Sequence, residues 1–399
     1  MSSMDNQLRD LLETAVGEPP HQVDLTAVRR RVRRRRWADV AAVAGVLALV
    51  AGLGVAVGAR LAGSGQAAAV AAPASSRQPA YYVQQMSLRT SYVTRVMSTR
   101  TGAVTATVSC PQHGAGITLR GIAAAGNGVF FVACQQWNVA RPSLSTTRLY
   151  RFTVTARGRI TFYSPVPGGA LGRFTPSHMT ATLNGAELAV VVGPPDNASA
   201  VSGVLVIDTR TGARGMWRAS SGSPGMTVTG IGDVSLTADG RELAFMTRVK
   251  CAAHAPGCVA GDEVRAVSPA IQGGQLTSSQ LIFRNSQLRG LSAGYVNDAF
   301  LDPSGSALTV LTYHSPARGT GTIESVVQVS ATTGRQLRVL YRVDTQNGMS
   351  YQYCSMDPSG RFVMLGAGSS TQPVNGWIYH QRLIPLTPYD AHSIIYQAW

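Results

Sequence analysis

The chain has 399 residues, 45% hydrophobic and only 14% charged, which supplies a packed core and excludes a highly charged disordered chain. Its net charge of +15 rests on arginine, since Lys250 is the one lysine. Residues 60–399 carry 27 basic and 14 acidic side chains with no run and no aromatic interleaving, so no nucleic-acid-binding stripe is present.

In chain order, residues 4–16 (MDNQLRDLLETAV) set Leu8, Leu11, Leu12 and Val16 on one face of a short helix that Pro19 and Pro20 end. So short a helix cannot hold its apolar stripe alone, so the face implies a membrane surface or a partner. Arg29, Arg30, Arg31, Arg33, Arg34, Arg35 and Arg36 follow, and residues 1–37 are read as a cytoplasmic tail. Residues 38–59 (ADVAAVAGVLALVAGLGVAVGA) hold one charge, Asp39. As a helix they span about 33 Å, the thickness of a hydrocarbon core. The arginine cluster before this span sets the N-terminus inside and everything after Arg60 outside. A cleaved secretory signal is the competing reading, but its apolar stretch is usually shorter and preceded by a shorter basic region. The small and polar residues of 60–80 read as a flexible spacer.

Residues 81–399 are expected to be all-β. An apolar residue four positions before a glycine and another three after it recur at Ile122/Gly126/Val129, Ala181/Gly185/Leu188, Leu236/Gly240/Leu243, Leu301/Gly305/Leu308 and Met356/Gly360/Val363. The glycines lie 59, 55, 65 and 55 residues apart, a period that marks stacked copies of one supersecondary unit. A second turn follows each by about half a repeat: TRTG at 99–102, TARG at 155–158, TRTG at 209–212, QGG at 272–274 and ATTG at 331–334. Two hairpins per repeat make a four-stranded meander. The first repeat lacks its first strand, with YYVQQ (81–85) as its second, while SIIYQAW (393–399) is left over at the other end. Sharing that unit closes a ring of six blades, with seven as the alternative if the 65-residue interval hides another hairpin.

LTADGRELAFM (236–246), FLDPSGSALTVL (300–311) and SMDPSGRFVMLG (355–366) resemble the turn-bearing strands of TolB-like and WD-repeat propellers. The TolB-like sort is the closer, because the Trp-Asp and Gly-His pairs of WD repeats are missing. The whole chain is similar to actinobacterial single-pass membrane proteins with such an outer domain. The inner tail resembles those that hold sigma factors, although it has no cysteine for their zinc-bearing pattern.

The chemistry-bearing motifs are weak. Gly290-Leu-Ser292-Ala-Gly294 fits a nucleophile elbow, with Asp298, Asp390 and His392 beyond it, but it precedes a strand rather than a helix. Cys251 and Cys258 are read first as a disulfide, with free thiols or a metal site through His254 as alternatives. Cys110 and Cys134 make a second candidate bridge, leaving Cys354 as a small buried hydrophobe. His113, His178, His314 and His380 are placed in or beside loops, and no catalytic, cofactor or metal site is assigned. The expected function is a non-enzymatic binding or scaffold module outside the cell membrane, for a protein, peptide or envelope ligand. The alternatives are transmembrane signalling, with a cytoplasmic regulator held by the Leu8/Leu11/Leu12/Val16 face, and a propeller hydrolase or lyase.

Overall fold

The computed structural model describes residues 79–398 apart from 89–90, 112–116, 139, 142–143, 195–202, 220–225, 252–260, 269, 285–294, 315–321, 346–350, 358, 368–374, 380–381 and 386–393. The tail with its Leu8, Leu11, Leu12 and Val16 face, the Arg29–Arg36 cluster and the 38–59 span lie outside the described residues. Among those described, no helix is long and apolar enough to cross a membrane.

Six antiparallel meanders form six sheets, blades I to VI. Blade I holds β1 (Tyr81–Leu88), β2 (Ser91–Ser98) and β3 (Val104–Val108). Blade II holds β4 (Ile117–Ala124), β5 (Val129–Gln136), β6 (Thr146–Val154) and β7 (Ile160–Gly172). Blade III holds β8 (Thr175–Ala181), β9 (Glu187–Gly193), β10 (Gly203–Asp208) and β11 (Arg214–Arg218). Blade IV comprises β12 (Met226–Leu236), β13 (Leu243–Cys251) and β14 (Gly261–Val267); after the two-residue β15 (Gly274–Gln275), β16 (Gln280–Arg284) completes it. Blade V is β17 (Tyr295–Leu301), β18 (Ala307–His314), β19 (Thr322–Ser330) and β20 (Gln336–Thr345). Blade VI is β21 (Tyr351–Met356), β22 (Val363–Ala367), β23 (Asn375–Tyr379) and β24 (Arg382–Pro385). The last strand, β25 (Ile394–Ala398), returns to blade I and pairs antiparallel with β1, Val83 opposite Ala398 and Gln84 opposite Gln397. The leftover C-terminal strand therefore supplies the missing inner strand, as the repeat pattern requires.

The innermost strands β25, β4, β8, β12, β17 and β21 neighbour one another in that order and close the ring, β21 against β25. Alternation along each strand sends one set of side chains into the seam on either side of its blade. Phe131 and Leu149 of blade II meet Leu188 and Val190 of blade III, and Phe283 of blade IV meets Leu308 and Val310 of blade V. The closing seam between blades VI and I is the thinnest of the described clusters: Tyr82, Met97 and Met364, flanked by Phe362 and Trp377. Gln84 is fully buried beside it, and among the described residues neither polar atom of its amide has a hydrogen-bond partner.

Because successive strands of a blade run antiparallel, both turns named in the sequence fall on one face of the ring, here the tight-turn face. The connections from second to third strand and from blade to blade fall on the other. The first turns of blades III to VI each place a glycine at positive φ: Gly185, Gly240, Gly305 and Gly360. Blade II departs from the pattern. Its turn joins Ala124 to Phe130 and is one residue shorter than the one joining Ala181 to Leu188, so the positive φ moves to Asn127 and Gly128. Gly126 is held for another reason: its N–H donates to Leu183 O of blade III at 2.7 Å, where a side chain would strike that carbonyl.

The expected second turn at 272–274 is a correction. The segment does join the antiparallel pair β14 and β16, but not by a tight turn: residues 270–278 form two short 3-10 turns around β15, which leaves its own blade and pairs parallel with β11, Trp217 opposite Gly274. Leu276 is buried with Trp217 and Val204 of blade III. The 65-residue interval is spent on this clip between blades III and IV, and the described residues contain six blades rather than seven.

Candidate functional site

Every inner strand carries an irregularity in its pairing at a similar height in the ring. The register shifts between Leu119 and Ile122 in β4, Pro176 and Met179 in β8, Ile231 and Val234 in β12, Val296 and Asp298 in β17, and Tyr351 and Tyr353 in β21. The β25–β1 pair shifts beside Gln85. A bulge re-aims a side chain that regular alternation would send into a seam. In blades III and IV the shift spans His178 and Asp233, and in blade V Asp298 follows it directly. Each stands seven positions before the turn glycine of its blade, Gly185, Gly240 and Gly305.

These three residues form one chain of hydrogen bonds across neighbouring blades. His178 Nδ1 donates to Asp233 Oδ1 at 2.8 Å, with the imidazole 34% and the carboxylate 14% exposed. Asp233 is hydrogen-bonded in turn to the side chain of Asp298, and Asp298 Oδ2 accepts the backbone N–H of Cys354 on β21 at 2.5 Å. Four consecutive inner strands are thus tied by polar contacts; buried polar bonds also cross two other seams, Gln85 to Leu119 O and Gln135 to Thr175.

Burial pushes the Asp298 carboxyl well above the ordinary carboxylate range, and the neighbouring Asp233 charge pushes it further, against a smaller opposing effect from the Cys354 N–H. Burial acts the same way on Asp233, but the His178 cation and the Asp298 hydrogen bond outweigh it and hold Asp233 below its usual range. For His178, burial opposes the charged form, and the charge and hydrogen bond of Asp233 more than compensate, so its pKa is raised. The shifts favour a protonated imidazole at His178, an ionised Asp233 and a protonated Asp298 in line. Two adjacent carboxyls share one proton because both cannot ionise side by side at low cost. The three bond to one another rather than converge on a point, and among the described residues no group of three His, Cys, Asp or Glu is placed to hold a metal ion. What the arrangement offers is a partly exposed imidazole polarised by a carboxylate on the inner strands, able to hold a ligand oxygen or to move a proton.

The sequence reading placed His178 in or beside a loop. It lies within β8, and its partner Asp233 was not singled out. Asp298 was noted only as a follower of the elbow at Ser292, which lies outside the described residues. The overlooked signal was in the repeat itself, where the three polar residues occupy the same register. Cys110 and Cys134 are joined by a disulfide with Cα atoms 5.8 Å apart, tying the segment after β3 in blade I to β5 in blade II. Cys251 ends β13, and Cys258 lies outside the described residues. Cys354 is unpaired and buried on β21; burial, then the Asp298 and Asp233 carboxyls, pushes its thiol well up and keeps it protonated.

A second perturbed acid sits on the tight-turn face. Burial, then the charges of Asp208 and Asp239, raises Glu187 to about 7, partly opposed by Arg210. Its carboxylate lies against the turn of the next blade, where a side chain on Gly240 would overlap it.

No protein-family profile matches the sequence, and none of the curated proteins matches it. Solved propellers match in trace. The β-propeller domain of Cps50 (Swd1) from Myceliophteria thermophila is 12% identical, over 78% of this chain and 85% of that one, with a TM-score of 0.41. The Dos1 propeller is 8% identical, over 74% and 75%, at 0.40. A Bacteroides fragilis protein described as a candidate 6-phosphogluconolactonase is 12% identical, over 81% and 99%, at 0.42. At such identities and scores the likeness carries nothing about ligand or activity.

Proposed function

We propose that the chain is a single-pass membrane protein, N-terminus in the cytoplasm, that displays its propeller outside the membrane as a ligand-binding module of the TolB-like sort. The observation that carries the binding reading is the His178–Asp233–Asp298 chain. Polar groups at a packed junction must be fully partnered to break even, so a bonded chain of three titratable side chains there favours a role beyond stability. A partly exposed imidazole whose charged form is favoured by Asp233 supports a ligand with a hydrogen-bond acceptor, such as a peptide or an envelope polymer. The Cys110–Cys134 disulfide supports an oxidising compartment, hence the extracytoplasmic side. The 38–59 segment and the arginines before it support the anchor and its orientation.

The test is capture of envelope components by full-length protein in detergent, comparing wild type with Asp233→Asn, which leaves the imidazole without its counter-charge. Retention by the wild type and loss in the variant is expected; equal retention removes the channel from the binding site. The same His–Asp pair favours one second reading, acid–base catalysis by a hydrolase or lyase, which turnover of a captured ligand would establish. The Leu8/Leu11/Leu12/Val16 face supports a separate cytoplasmic partner, such as a sigma factor, and pull-down lost in Leu8→Asp/Leu12→Asp is its check.

A further inference from the structure

Each inner strand is the edge of its sheet, and β4, β8, β12 and β17 neighbour one another in that order around the ring. Their ladders break at positions that carry polar side chains. The shift in β4 spans Arg120, that in β8 spans Ser177 and His178, that in β12 spans Asp233, and that in β17 spans Asn297. These five residues are half-buried, whereas Leu119, Ile122, Pro176, Ile231, Val234 and Val296 beside them are buried. The first two breaks also touch. A side chain on Gly121, next to Arg120, would meet Met179 Sδ at 3.0 Å and Ser177 O at 3.8 Å, and those two residues flank His178. His178 donates to Asp233, and Asp233 is hydrogen-bonded to Asp298, the neighbour of Asn297. Four blades thus contribute one row of polar groups: guanidinium, hydroxyl, imidazole, carboxylate and amide.

We propose that this row is a saccharide-binding site, with Arg120 and Asn297 as further ligand-holding residues on either side of the His178–Asp233 pair. The inference rests on the binding reading above and names its ligand class. A guanidinium only donates, an ionised carboxylate only accepts, and an amide does both from different atoms. An anionic ligand lying along the row meets Asp233, and a cationic one meets Arg120 and His178. Neither suits the whole of it. A hydroxyl donates and accepts from a single oxygen, so a run of sugar hydroxyls can satisfy donors and acceptors in any order. Neutral sugars therefore match the mixed row better than carboxylates or ammonium groups do.

Full-length protein in lipid nanodiscs is titrated with tetrasaccharides of the malto, cello, manno and chito series. Tetragalacturonate and the chitosan tetramer are the acidic and cationic counterparts. At least one neutral series should bind at about 1 mM or tighter. Arg120→Gln and Asn297→Ala should each weaken that binding about fivefold, the loss of one net hydrogen bond, with an unchanged melting temperature. Arg120→Lys should bind more tightly than Arg120→Gln, and Arg173→Gln, at an exposed position just beyond β7, should match the wild type. If Arg120→Gln lowers the melting temperature, Asn297→Ala and Arg120→Lys carry the comparison. No binding of any neutral sugar, binding of only the charged tetramers, or equal binding by every variant overturns the proposal. A second arm separates its failure from that of the binding reading. Envelope material captured by the wild type is treated with periodate, which cleaves vicinal diols, or with protease. Material destroyed by periodate supports the saccharide. Material destroyed by protease alone leaves the His178 site standing and overturns the saccharide, and capture that Asp233→Asn retains in full removes both.

Discussion

Asp298 keeps a proton that a solvated aspartate would have released, because it is buried against another carboxyl that the imidazolium of His178 holds ionised. A carboxyl whose folded pKa lies above its unfolded one loses stability as pH rises from its ordinary value, 3.8, toward the raised one. His178 works in the same sense, its raised pKa giving a contribution that is complete below 6.5 and lost as pH climbs through the folded value. Asp298→Asn preserves both bonds, its amide N–H donating to Asp233 and its carbonyl accepting from Cys354, without a proton to lose. The variant should match the wild type near pH 5 and exceed it by about 1 kcal/mol near pH 9 in thermal melts. Glu187 gives an independent case. Its pKa of about 7, against 4.5 when solvated, means stability falls as pH rises between those values. Glu187→Gln should be neutral near pH 4 and stabilising by about 1 kcal/mol near pH 8, allowing for solvent screening of a partly exposed group. Equal effects at both pH values would remove the titration argument. At this scale the sequence was least legible. Glycines at positive φ announce themselves because only glycine is comfortable there, as at Gly240 and Gly305. A histidine gives no such sign, since its meaning depends on a bulge that turns it and on a carboxylate 55 residues further along the chain.

Among elements, hairpins were legible and bridges were not. Asp239-Gly240 and Ser359-Gly360 lie between apolar runs in β12 and β13, and in β21 and β22, so turn and flanks agree. Gln272-Gly273-Gly274 uses the same letters for another purpose. Glycine is needed there because the segment passes against β11, where a side chain on Gly273 would strike the Met216 backbone and one on Gly274 the Trp217 ring. Parallel pairing between blades leaves no local periodicity to read. The Cys110–Cys134 disulfide is another bridge between neighbouring blades, and the loop it closes, with a separation of 24 residues, is long enough to matter. Cys110→Ser should lower unfolding stability by about 3 kcal/mol, measured by denaturant titration, and reductant should bring the wild type to the same midpoint. No change would mean that hydrocarbon packing alone, Val83 and Val96 against Phe130 and Val132, holds blade I to blade II.

For the molecule as a whole, the decisive pairing is β25 with β1, and it was readable by counting: one strand missing at one end, one spare at the other. Removing residues 393–399 should leave the inner edge of β1 unpaired and the already thin seam beside Tyr82 and Met97 open. The shortened chain should aggregate on gel filtration or lose its cooperative melt, and a monomer with an unchanged melting temperature would contradict the closure.

That pairing also sets a schedule. Blade I is the first of the six to be synthesised and the last to be finished, because its innermost strand emerges only after the other five blades. At ordinary translation speeds the delay is on the order of tens of seconds. Throughout it, a nascent three-stranded sheet offers its backbone to whatever strand comes by. A chain stopped prematurely anywhere in blade VI is consequently incomplete in two blades, and cellular proteolysis would meet the defect at the first blade as readily as at the last.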